Sequence, residues 1–151
     1  MIQIVNYEPN YAAPFKELNE EWILRYFEME EVDRNMLSNP QTAILDKGGA
    51  ILIALDGNEP VGTCALLNKG EKIYELAKMA VAPKAQGKQI GYLLGVRTLE
   101  KARELSARKV YLETNSQLTP AINLYQKLGF EEIQGGCSPY ARCDVRMEKN
   151  L

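Results

Sequence analysis

The stretch Val81-Ala82-Pro83-Lys84-Ala85-Gln86-Gly87-Lys88-Gln89-Ile90-Gly91 carries the clearest chemical signal in the chain. It sits between a strand-like run and a long amphipathic stretch. At a helix start the backbone N–H groups point outward without intrahelical partners, and the helix dipole favours an anion. Gly87 and Gly91 let the main chain approach a bulky polyphosphate, and Lys84 and Lys88 add positive charge. A turn that merely reverses the chain is the competing reading. The placement of the glycines where a helix-terminus anion site needs them favours phosphate binding. A Walker loop would need glycine at position 82 and a hydroxyl at 89, where Ala82 and Gln89 stand, and Gly-x-Gly-x-x-Gly does not occur at this turn.

The chain has no histidine. Ser-His-Asp and Cys-His catalysis are therefore excluded, as are zinc sites of the His-Glu-x-x-His kind. A general base must be a carboxylate, a neutral Lys, a Tyr, a thiolate or a relayed water. Glu75 is the best candidate. Strand alternation places it with Ile73, Ala77 and Met79 on a largely apolar face, where the charged form of a carboxylate is disfavoured and its pKa rises. The alternative is a buried or edge glutamate paired with Lys or Arg.

The elements that must position these groups are legible from periodicity. Residues 2–6 read as a strand, and 11–27 as a helix with Phe15, Leu18, Trp22, Ile23 and Tyr26 on its apolar stripe. A poorer helix over 30–37 is closed by Ser38-Asn39-Pro40. Residues 50–55 and 61–67, joined by a turn containing Asp56-Gly57, form a hairpin. A strand over 73–81, a helix over 89–107 and a strand over 109–114 follow. Thr119 as N-cap and Pro120 at N1 open a last helix, which ends at Gly129 with Phe130 as its hydrophobic C″ residue. Residues 140–148 alternate as a strand. One right-handed strand–helix–strand crossover beside a hairpin implies a mixed sheet covered by helices.

Two segments together resemble the GCN5-related N-acetyltransferases. Gln86-Gly87-Lys88-Gln89-Ile90-Gly91 is similar to that family's pyrophosphate loop, Gln/Arg-x-x-Gly-x-Gly/Ala, except that glycine is usual at position 89. At a helix N-terminus the backbone is expected in the right-handed region, which any residue adopts, so the Gln89 N–H can still serve. Ala121 to Phe130 resembles the family's closing helix motif. The resemblance implies an α/β (α+β) fold of acyl-CoA N-acyltransferase type: one domain, residues 1–151, with a mostly antiparallel twisted sheet of about six or seven strands and about four helices.

It also implies an acetyl-CoA-dependent N-acetyltransferase acting on a primary amine of a small molecule or peptide, by direct attack in a ternary complex. A non-catalytic acyl-CoA-binding sensor is the alternative, and a nucleotide-dependent kinase is more remote because the Walker residues are missing. In the resembling family an acidic residue at the distance of Glu75 often acts as base, and a tyrosine matching Tyr125 commonly serves as the acid. Tyr125 also occupies C3 of a helix capped by Gly129, where it would pack on Phe130. Backbone N–H groups of Met79, Ala80 and Val81 are implied as the oxyanion and pantetheine partners, with Gln86, Gly87, Lys88, Gln89, Ile90 and Gly91 on the diphosphate. Asn115 and Asn123 are further candidates for pantetheine, weighed against turn chemistry for the first and an exposed helix face for the second.

The acceptor side is less legible. Trp22 and Tyr26, with Phe27, precede the acidic residues Glu28, Glu30, Glu31 and Asp33, and aromatics beside carboxylates could hold a cationic amine. An amphipathic helix with a solvated acidic end is the plainer reading. Tyr140 and Arg142 could clamp an acceptor carboxylate or form the wet face of a strand.

Composition bounds the rest. Apolar residues at 46% and charged residues at 25% fit an ordinary globular protein, and a net charge of -2 with pI near 5.3 argues against nucleic acid as a partner. No apolar run reaches the ~18 residues of a membrane span, and no secretory signal is evident. Cys64, Cys137 and Cys143 suggest no disulfide framework, so reduced thiols in a cytoplasmic protein are expected, with Cys64 and Cys143 buried in strands. No metal is expected, and a homodimer is possible through strand edges.

Overall fold

Apolar runs without polar interruption need cover on both faces of a sheet, and the two hairpin strands receive it. The computed structural model describes residues 1–137 and 143–151. The strands are β1 (Ile2–Asn6), β2 (Ala50–Asp56), β3 (Glu59–Asn68), β4 (Ile73–Val81), β5 (Lys109–Thr114), β6 (Glu131–Ile133) and β7 (Val145–Asn150). The helices are α1 (Ala12–Tyr26), α2 (Glu31–Ser38), α3 (Ile90–Glu104) and α4 (Thr119–Lys127). One seven-stranded sheet runs in the order β1-β2-β3-β4-β5-β7-β6, and only β4 and β5 pair in parallel.

Alternation along β2 sorts the core into two layers. Ile51, Ile53 and Leu55 pack with Phe15, Ile23 and Leu37 beneath α1 and α2. Leu52 and Ala54 face the other way, against Leu94, Leu99 and Ala102 of α3. Each large side chain so buried contributes about 1.5–3 kcal/mol.

Two features of β4 make a site. Its pairing with β3 steps from Ala65↔Ala77 to Thr63↔Ala80, which is a bulge at Lys78 and Met79. Its pairing with β5 covers only Ile73–Glu75 against Lys109–Tyr111. Beyond Glu75 the two parallel strands part and leave a cleft.

The mixed sheet, its crossover and most element bounds follow the sequence expectations. Several details do not. Leu118, not Thr119, is the N-cap of α4, so Thr119 is the first helical residue and Pro120 the second. A π-helical turn, Gln41–Leu45, follows Pro40 in a stretch for which the sequence suggested no element. Short β6 was unannounced because its residues, Glu131-Glu132-Ile133, lack any apolar alternation. The largest correction concerns cysteine. Cys143 precedes β7 and is joined to Cys137 by a disulfide, Cα atoms 5.9 Å apart. Antiparallel pairing of β6 with β7 (Ile133↔Arg146) brings the two sulfurs together across the chain reversal. Cys64 is buried and free, as expected. Among the described residues no helix is long and apolar enough to cross a membrane.

Candidate active site

The cleft between β4 and β5 is lined from the strands by Glu75, Ala77, Lys78, Met79 and Glu113, and just past β5 by Asn115. Asn19, Trp22 and Phe27 approach from α1 and its end, Tyr125 from α4, and Cys143 from the far side. Glu75 and Tyr125, 50 positions apart in the chain, thus face one space.

Glu75 is 8% exposed. It pairs in register with Leu67 on one side and Tyr111 on the other, so apolar surface and a ring close around it. Burial raises its pKa above the ordinary carboxylate range; Lys69 opposes the rise and Glu113 adds to it. Tyr111 Oη donates to Glu75 Oε1 at 3.4 Å, and Lys69 Nζ lies 3.7 Å from the same oxygen. Glu75 is thus desolvated, with its pKa raised, and it also has a basic neighbour. Tyr111 is itself pushed up by burial and by Glu75, so its phenol keeps its proton.

Tyr125 is half-buried, and its ring meets Phe130 edge-on at 6.2 Å. The C-terminus of α4 fixes that contact. Gly129, at φ +99, donates its N–H to Gln126 O, and Phe130 N–H reaches Tyr125 O at 3.0 Å. This is the Schellman pattern expected from the sequence. Burial raises the Tyr125 phenol, which holds it in the protonated, donor form.

The turn ahead of α3 contributes no residue to the lining of this cleft. Gly87 has φ +86, and a Cβ there would meet open space. Gly91 lies in the first turn of α3, where a Cβ would stand 3.2 Å from Leu124 of α4. Glycine here lets the two helices approach each other closely. Gln89 departs from expectation: it is the N-cap of α3, at φ 59 and ψ 23. That is the left-handed region, not the right-handed one, which is the reason glycine suits the position. The two lysines are also less isolated than their spacing suggests. Lys84 pairs with Glu59, and Lys88 Nζ lies 3.3 Å from Asp56 Oδ2, which lowers the Asp56 pKa. Exposed pairs of this kind are weak and exchange readily for a stronger anion.

Other sequence candidates scatter. Ala80 is buried and Val81 half-buried, and neither lines the cleft as Met79 does. Asn115 lines it, but its Oδ1 also accepts from Gln117 N–H at 3.0 Å, the turn role weighed against binding. Asn123 is exposed on α4 and away from the lining. Trp22 lines the cleft; Tyr26, 45% exposed, stands behind it with ring centroids 5.3 Å apart. Tyr140 and Arg142 lie outside the described residues. The acidic segment after Phe27 is not all solvated, since Asp33 is fully buried beside Lys78. Lys78, Glu113 and Tyr111 were not singled out from sequence; no spacing rule marks a bulge or a cross-strand neighbour. Asn19 in an apolar helical stripe and Thr63 in an apolar strand were available signals, being polar residues at core positions.

Residues 14–130 match the model of the acetyltransferase (GNAT) family. The chain belongs to the GNAT acetyltransferase family. Within it, an uncharacterized N-acetyltransferase of Escherichia coli, YjgM, is 39% identical over 92 residues, 60% of this chain and 55% of that protein. The chain thus spans about half the length of that relative. A solved GNAT-family acetyltransferase from Staphylococcus aureus Mu50 superposes with a TM-score of 0.90 at 23% identity, covering 100% of this chain and 99% of that one. A GNAT-superfamily phosphinothricin acetyltransferase of Sinorhizobium meliloti, solved in complex with acetyl-CoA, gives 0.81 at 21% identity, covering 99% and 88% of the respective chains. The two motifs that resembled this family lie at the start of α3 and along α4, and the second of them lines the cleft through Ala121 and Tyr125.

Proposed function

We propose that residues 1–151 act as one acetyltransferase domain that transfers an acetyl group from acetyl-CoA to a primary amine of a small molecule or peptide, within a ternary complex. The carrying observation is that Glu75 and Tyr125 line one cleft, opened where β4 and β5 part.

The residues present fit the coenzyme. The first-turn N–H groups of α3 have no intrahelical partners, Gly87 leaves open space beside them, and among the described residues the β5-facing edge of β4 beyond Glu75 has no strand against it. Gln86 to Gly91 would hold the diphosphate, with Lys84 and Lys88 leaving their surface partners for it. Met79 and Asn115 would border the pantetheine arm. When bound, acetyl-CoA supplies the activated acyl group as a thioester.

The chain's own groups supply the proton chemistry. Glu75 takes the proton that an ammonium must lose before its nitrogen can attack, directly or through water. The main-chain N–H of Met79, the residue of the 79–81 stretch that lines the cleft, donates to oxygen as negative charge gathers there. Tyr125 holds a proton available to the departing sulfur. Trp22 and Phe27 wall the acceptor side.

The test is thiol release from acetyl-CoA across a panel of polyamines, amino acids, aminoglycosides and peptides, beside calorimetry with coenzyme A. Release stimulated by one acceptor class supports the proposal and names the acceptor. Tight coenzyme binding with no stimulated release would favour a sensor, and no binding at all would end both readings.

A further inference from the structure

Polar side chains sit in the interior where α1, α2 and the sheet meet. Asn19 is 2% exposed, and Thr63 and Asp33 are fully buried; the Lys78 side chain is 6% exposed. Groups of this kind are costly to bury unless partnered, and these partner one another in a line. Asn19 Nδ2 donates to Phe15 O at 2.9 Å and to Thr63 Oγ1 at 3.2 Å. Thr63 Oγ1 donates to the main-chain carbonyl of Lys78 at 2.8 Å. Lys78 Nζ meets Asp33 Oδ1 at 2.5 Å.

The line converges on one residue of the β4 bulge. Lys78 has φ 54, left-handed and unfavourable for any residue with a Cβ. It is held from two directions, its carbonyl by Thr63 on β3 and its ammonium by Asp33 on α2. A strained conformation persists only where its surroundings over-determine it. Met79, Ala80 and Val81 follow directly, so the conformation at Lys78 sets where their N–H groups aim. An apolar core would pack here without the desolvation cost, so the polar line calls for a reason beyond stability.

We propose that Thr63 and Asp33 are positioning residues: through Lys78 they lock the β4 bulge and aim the Met79 main-chain N–H at an acyl oxygen in the cleft. The inference rests on the acetyl-transfer reading above. Neither residue lines the cleft, and both act through the backbone of Lys78. Because Asn19 and Asp33 lie on α1 and α2, the lock also ties the acceptor-side helices to the strand that holds the acyl group.

The test uses the full chain with Thr63→Val, Asp33→Asn and the conservative Thr63→Ser. Amide exchange from Ala77 to Val81 is followed by NMR without ligand. Calorimetry then compares coenzyme A with its S-acetonyl derivative, whose ketone oxygen offers an acceptor but cannot be transferred. The wild-type chain should prefer the ketone. Loss of one hydrogen bond should cut that preference by about fivefold in Thr63→Val, with coenzyme A affinity held within about twofold. Exchange of the bulge amides should quicken by about tenfold, and Thr63→Ser should restore both readings. Folded variants that keep the ketone preference and the amide protection would overturn the proposal. Should Thr63→Val fail to fold, Asp33→Asn gives the same readings. If the wild-type chain binds neither ligand, the acetyl-transfer reading falls, while the exchange rates alone still decide whether the lock exists.

Discussion

Replacing Gln89 by glycine should stabilise the protein. Gln89 caps α3 in the left-handed region, and its side chain makes no capping hydrogen bond. That backbone conformation costs an L-residue about 1–2 kcal/mol. Glycine removes the cost but makes the unfolded chain more flexible, which offsets about 0.4–1 kcal/mol. The balance leaves roughly 0.5–1 kcal/mol in favour of Gln89→Gly, a Tm rise of about 2–3 °C for a chain of this length. Gln89→Ala is the control, because it keeps the Cβ that causes the strain and discards only an exposed side chain. Its Tm should stay within about 1 °C of wild type. Calorimetric melts of the three proteins, without ligand and with saturating coenzyme A, measure both effects. Glycine also leaves more room beside the helix terminus, so coenzyme affinity should hold or rise. A fall in Tm on Gln89→Gly, or an equal rise on Gln89→Ala, would refute the assignment of strain to position 89.

Glu75→Gln should depress turnover at neutral pH and remove the acid limb of the wild-type rate profile, since that limb follows protonation of a carboxylate whose pKa burial has raised. Its effect on stability has a definite sign. The folded state binds this proton more readily than the unfolded state, so Glu75 contributes stability below the ordinary carboxylate range and loses it as pH rises through the raised value. Thermal melts should therefore show Glu75→Gln gaining on wild type toward neutral pH and losing that advantage in acid. Tyr125→Phe keeps the edge contact with Phe130 and should cut kcat by roughly ten- to a thousand-fold, with coenzyme A affinity from calorimetry little changed. Gly95→Ala would set a Cβ 2.3 Å from Leu128 Cδ1. Overpacking of about 1–3 kcal/mol exceeds the helix gain of about 1 kcal/mol. Urea melts should show a net loss, and turnover should fall because α4, which carries Tyr125, is pushed aside.

Much of the fold was readable because periodicity is a local property. Strands over 2–6, 73–81 and 109–114 emerge at their expected bounds, and the Gly129–Phe130 ending of α4 follows from residue type alone. The candidate site was readable where its proposed residues form a contiguous motif, as in Gln86 to Gly91. It was not readable where neighbours come from different strands: Tyr111 and Glu113 reach Glu75 only through parallel pairing. Alternation also misled at β4. It placed Glu75 correctly but could not register the bulge, which brings Lys78 as well as Met79 to the cleft. The cysteines failed for the same reason, since the Cys137–Cys143 bond depends on the reversal between β6 and β7.

By itself the sequence determined the elements, the loop at the start of α3 and the absence of any imidazole base, because each is settled by residue type or by spacing within a few turns. Only the tertiary structure decided that Gln89 is left-handed, that Asp33 is buried against Lys78, and that Glu75 and Tyr125 share a cleft. Each of those depends on where distant backbones stop pairing and how closely they pack, and no local pattern of side chains encodes that distance.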